Sequence, residues 1–195
     1  EVAGDRVDER PQRAALDGCG YARRAIALGG WNFVLMQQGP SATEGRPSLL
    51  SFTQTFATEI RRVSAQPGLY MVWPSRARAF DFDGVSESYR MAAQQVNGAL
   101  FPVGEAWRAV WRRDPGAELY GPDQFHPSPL GTLVAAMTIY ARVTGRTAAG
   151  LPATFAFRSG NVTLDDVTAL RLQEAVDEAL AQFPNPISAL RRGGS

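Results

Sequence analysis

From Gly30 onward the hydrophobic positions follow two alternating patterns, a short continuous apolar run and then a segment with apolar residues every three or four places. The runs Trp31 to Gln37 (WNFVLMQ), Gly68 to Trp73 (GLYMVW) and Ala99 to Val103 (ALFPV) are rich in aromatic and branched side chains. That is the composition of strands buried on both faces of a parallel sheet. Between the first two runs, Leu49, Phe52, Phe56, Ile60 and Val63 form one apolar helix face; between the second and third, Val85, Tyr89, Ala92 and Val96 do the same. Strand, helix, strand, helix at this spacing predicts an α/β layered domain.

Beyond the third run the pattern turns helical. Trp107 and Trp111 lie four apart in GEAWRAVWRRD, which suits core packing better than ligand stacking. Leu130, Leu133, Val134, Met137 and Ala141 mark another amphipathic helix, with Ser128 placed to cap it and Pro129 in its first turn. A short apolar run, TFAF, precedes a capping-box-like start at Thr163 and Asp166, and Leu172, Val176, Leu180 and Phe183 continue the last helix. Residues 1–184 are expected to form one domain, with 185–195 as a flexible tail.

Composition narrows the chemistry. The 195 residues carry 20 basic and 19 acidic groups, so no global field steers the protein toward nucleic acid or an anionic membrane. A neutral small-molecule partner is favoured. Every basic residue is arginine, which excludes a phosphate-loop lysine, a Schiff-base lysine and a serine–lysine dyad. The single cysteine, Cys19, forbids an intrachain disulfide, and the single histidine forbids a metal site built on imidazoles; neither a metal nor another cofactor is expected. No apolar run approaches the roughly 20 residues that span a bilayer. The chain opens on Glu1 rather than methionine, as expected of a processed, trimmed or incomplete product.

The one histidine, His126, stands in YGPDQFHPSPLG, three residues after Asp123 and among prolines. A carboxylate at that spacing can accept from one imidazole nitrogen and leave the other facing outward as a base. The pair also suits a loop histidine held for structural reasons alone. Its place favours the functional reading, since ligands bind beyond the carboxyl ends of parallel strands, where such loops gather.

The segment DQFHPSPLGTLVAAMTIYARVTG resembles the last block of the SGNH, or GDSL-like, hydrolases, in which an Asp-x-x-His pair precedes a helix. LFPVGEAWRAVWRRDP, GLYMVWPS and WNFVLMQQGPS are similar to the later strands and loops of bacterial members, so the resemblance covers about Gly30 to Pro152. It implies a flavodoxin-like three-layer α/β/α sandwich and hydrolysis of an ester or acyl group, on a small ester or an acylated carbohydrate, by a Ser-His-Asp mechanism. Carried over, His126 is the base and Asp123 its orienting acid. Gln38 stands where many members place an oxyanion-donating asparagine, and Gly4 is a candidate for the backbone donor.

The family's serine lies in a Gly-x-Ser block at the end of the first strand, and no serine precedes Ser41 in this chain. The resemblance therefore implies a sheet lacking its first, central strand. Three explanations remain: an incomplete hydrolase, a degenerate relative that binds an acyl group or carbohydrate without turnover, or recruitment of Ser41 as nucleophile.

Overall fold

The computed structural model describes residues 21–39, 43–157 and 160–184. Gly4, Cys19, Ser41 and the 185–195 tail lie outside them.

A short helix α1 (Tyr21–Ala27) leads to strand β1 (Phe33–Met36), helix α2 (Arg46–Arg62), strand β2 (Gln66–Tyr70), a 3-10 turn (Arg76–Asp81), helix α3 (Phe82–Gln95) and strand β3 (Ala99–Phe101). Helices α4 (Val103–Arg113) and α5 (Pro129–Thr144) follow, then a hairpin of β4 (Thr154–Phe157) and β5 (Gly160–Thr163), and finally α6 (Asp166–Gln182). The three runs read as strands form one parallel sheet in the order β1-β2-β3, with Met36 opposite Leu69 and Tyr70 opposite Phe101. Helices flank it, giving an α/β/α fold of the flavodoxin-like kind.

Several boundaries move for local reasons. The third strand stops at Phe101 because Pro102 has no N–H to offer the ladder and instead becomes the N-cap of α4, with Val103 already helical. The last helix is capped not by Thr163 but by Asp165, whose carboxylate accepts from Thr168 N–H at 3.0 Å. Thr163 is held in the antiparallel hairpin opposite Thr154. Ser128 caps α5 as its position suggested, accepting from Gly131 N–H at 3.0 Å.

One core cluster packs Leu49 and Ala57 of α2 and Val85, Tyr89 and Ala92 of α3 against Leu69 and Leu100. A second joins Trp107, Leu133, Met137, Leu172 and Val176 from α4, α5 and α6, with Trp73 among them. Trp107 is fully buried and stacks on Trp73 at a centroid distance of 3.8 Å, while Trp111 is partly buried and packs edge-on against Trp107 at the margin of that core.

Helix α2 departs from its expected face. It buries Leu49, Thr53, Ala57 and Ile60, while Phe52 is 62% exposed. The sheet ends at β1 among the described residues, so the part of the apolar stripe that would cover a further strand overhangs its edge. Phe52 and Phe56 line an apolar groove there with Leu35 and Ile26. β1 carries no charge, proline or bulge of the kind that usually protects an open strand edge.

Candidate active site

The loop after α4 is built as a closed clasp. Tyr120 and Pro127 form an antiparallel bridge, Gly121 N–H donates to the His126 carbonyl at 2.7 Å, and Ser128 N–H donates to the Leu119 carbonyl at 2.8 Å. Its tip is tied to the segment following β2. Arg76 N–H donates to the Gln124 carbonyl and the Trp73 indole N–H to the Phe125 carbonyl, each at 3.0 Å, while the Tyr120 hydroxyl donates to the Pro74 carbonyl at 2.6 Å. Gln124 takes a positive φ of 57°, which turns the chain sharply enough for Asp123 and His126 to meet.

Within the clasp, Asp123 Oδ1 accepts from the backbone N–H groups of Phe125 at 3.0 Å and His126 at 2.9 Å. Its Oδ2 stands 2.6 Å from His126 Nδ1. The hydrogen bond from His126, followed by those from the two backbone donors, lowers the Asp123 pKa to about 2. The carboxylate is therefore ionised at neutral pH and can only accept, so Nδ1 carries the proton and, in the neutral ring, Nε2 keeps its lone pair. The three-residue spacing suggested that these two side chains could meet, and the structure sets Asp123 Oδ2 against His126 Nδ1.

The lowered pKa fixes a direction for acid stability. A carboxylate depressed from 3.8 to about 2 contributes stability that is present above 3.8 and lost as pH falls through about 2. Asp123→Asn is expected to remove that part of the acid slope, read from melting temperatures of the two proteins across this range. The effect is small because the carboxylate is solvent-exposed.

His126 lines an open pocket of about 290 Å³ together with Gln37, Tyr70, Val72, Trp73 and Phe125. It lies at the carboxyl end of β1 and β2, where a parallel sheet gathers its ligand loops. Gln38 is not brought there. Its side-chain Nε2 donates to Ser48 Oγ at 2.8 Å and to the Gly45 carbonyl at 3.4 Å, and its backbone exchanges hydrogen bonds with the Tyr89 hydroxyl. Gln37 lines the His126 pocket instead, because strand alternation sends it to the side of Leu35 and Phe33, opposite Gln38. Tyr70, Trp73 and Phe125 were also not singled out from sequence; their one signal was position just past a strand end or beside the histidine. Of the described serines, none lines this pocket. No helix among the described residues is long and apolar enough to cross a membrane.

Comparison with known proteins adds the fold's relatives. No protein-family model matches the sequence, and no curated protein matches it. Among solved structures, a DUF4886 family protein from Bacteroides uniformis superposes with a TM-score of 0.67 at 16% identity, over 84% of this chain and 67% of that one. A candidate SGNH hydrolase from Slackia heliotrinireducens superposes with a TM-score of 0.53 at 25% identity, over 64% of this chain and 72% of that one. The fold is SGNH-like. That likeness supports a hydrolase-like fold.

Proposed function

We propose that the chain carries the base half of an ester- or acyl-hydrolase site, with His126 as general base and Asp123 as the residue that orients it. The observation that carries this reading is the 2.6 Å contact between Asp123 and His126 Nδ1, which leaves Nε2 for proton transfer beside a pocket at the carboxyl edge of the sheet. In the full reaction a serine hydroxyl attacks the acyl carbonyl while Nε2 takes its proton. The imidazolium then returns that proton to the departing alkoxide, and water repeats the cycle on the acyl-enzyme. The serine comes from outside the described residues, and Ser41, two positions in sequence after the pocket-lining Gly39, is one candidate.

A second reading is a binding module for an acyl group or carbohydrate. It draws on the aromatic lining of Tyr70, Trp73 and Phe125 and on the lack of any described serine in the pocket.

Hydrolysis of p-nitrophenyl butyrate, paired with fluorophosphonate labelling, separates the two. Slow release that depends on His126, without labelling, is expected: the Asp123–His126 pair takes a proton from water, the hydroxide adds to the carbonyl and p-nitrophenolate leaves. Release no faster than from His126→Ala sinks the hydrolase reading and favours the module. Stoichiometric labelling at Ser41 would instead identify the nucleophile.

A further inference from the structure

Three tyrosines are drawn toward the interior, and burial pushes the hydroxyl of each up to about 12. Two have protein partners. The Tyr89 hydroxyl donates to the Gln38 carbonyl at 2.6 Å, and the Tyr120 hydroxyl to the Pro74 carbonyl at 2.6 Å. The third, Tyr70, packs its ring against both of the larger core clusters, yet none of the hydrogen bonds among the described residues involves its hydroxyl. Nor is that oxygen sealed in: among the described residues the unpartnered buried side-chain atoms are Gln66 Nε2 and Arg142 Nε.

A buried phenol normally finds a partner for its O–H. Here the ring is fixed and the hydroxyl is open, and the space that Tyr70 lines is the pocket of His126. Tyr70 ends the middle strand one residue past Leu69, whose neighbour across the ladder is Met36, so Tyr70 stands level with Gln37 on the pocket side. The rest of the lining, Gln37, Gly39, Val72, Trp73, Phe125 and Pro127, is uncharged.

We propose that Tyr70 is a substrate-contacting residue whose hydroxyl donates a hydrogen bond to the carbonyl oxygen of an uncharged acyl group held beside His126. The proposal rests on the hydrolase-type reading of this pocket and deepens it. A phenol donor held among aromatic side chains strengthens its bond as negative charge gathers on the carbonyl oxygen during attack. Because burial keeps the phenol protonated, the donor is present throughout the working pH range. Gln38, the side chain expected to fill this role, is engaged by Ser48 and Gly45.

The test uses the whole chain labelled with 3-fluorotyrosine and titrated with N-ethylbutyramide, a neutral acyl amide that is not turned over. The five tyrosines give separate fluorine signals, Tyr70→Phe assigns one of them, and the single histidine supplies one imidazole proton reporter. The expected result is that the Tyr70 and His126 signals move with a common saturation curve. Tyr70→Phe should weaken binding about tenfold, the loss of one hydrogen bond, with an unchanged melting temperature because the hydroxyl has no protein partner to lose. Movement at His126 with a still Tyr70 signal, or equal affinity in Tyr70→Phe, overturns the assignment and leaves the hydrolase reading standing. Movement at neither residue means that the pocket takes no acyl group, and both fall. Should Tyr70→Phe fail to fold, Tyr21→Phe, Tyr89→Phe, Tyr120→Phe and Tyr140→Phe assign the Tyr70 signal by elimination, and the shifts of the wild-type protein then decide between these outcomes.

Discussion

His126→Ala is expected to lower p-nitrophenyl butyrate hydrolysis by on the order of 10²-fold or more, the lower end of what a positioned general base contributes. Initial rates of the two purified proteins measure it. No other imidazole exists in the chain to take over, and lysine, the other neutral-pH base that burial could supply, is absent. Asp123→Asn should be nearly as damaging although it keeps the shape of the clasp. An asparagine that turns its amide oxygen to the two backbone donors presents NH₂ to Nδ1, so Nδ1 becomes the acceptor and the proton moves to Nε2, the wrong tautomer for a base. Equal rates for wild type and His126→Ala would end the base assignment. A fully active Asp123→Asn would show that the loop's backbone, not the carboxylate, sets the ring.

What could be read from sequence follows the range of the interaction. Asp123 and His126 were legible because their contact is local and needs only a three-residue turn, and the Ser128 cap was legible for the same reason. The parallel strands were legible because burial on both faces leaves an unbroken apolar run. Phe52 was misplaced because a helix face is set by how far the sheet beneath it extends, a tertiary fact that spacing does not hold. Gln38 and Gln37 are adjacent, and which one faces the histidine depends on the phase of a four-residue strand. Tyr70 was hidden in a run that looks wholly like core; only comparison with the partnered hydroxyls of Tyr89 and Tyr120 marks its own as open.

Gly131→Ala is expected to destabilise the fold by roughly 1–3 kcal/mol, the usual cost of forcing extra volume into a packed core. A Cβ at this position would stand 2.2 Å from the Leu119 carbonyl oxygen and 2.6 Å from Trp107 Cζ2, far inside contact distance. Neither neighbour can yield easily. Leu119 accepts from Ser128 N–H to close the clasp, and Trp107 is fully buried between Trp73 and the first turn of α5, where its indole N–H donates to the Gly131 carbonyl at 3.2 Å. Relief therefore requires α5 to move outward, and the Leu119–Ser128 bond that frames Asp123 and His126 moves with it. Urea unfolding measures the stability loss, and the imidazole proton signal reports whether the site shifts in the folded variant. Gly116→Ala is the control: its nearest neighbour is the flexible Asp114 Oδ1 at 3.5 Å, so its stability should stay within about 0.5 kcal/mol of wild type. If Gly131→Ala proved as stable as that control, the clasp would not depend on close approach of α5, and the positions of Asp123 and His126 would need another support.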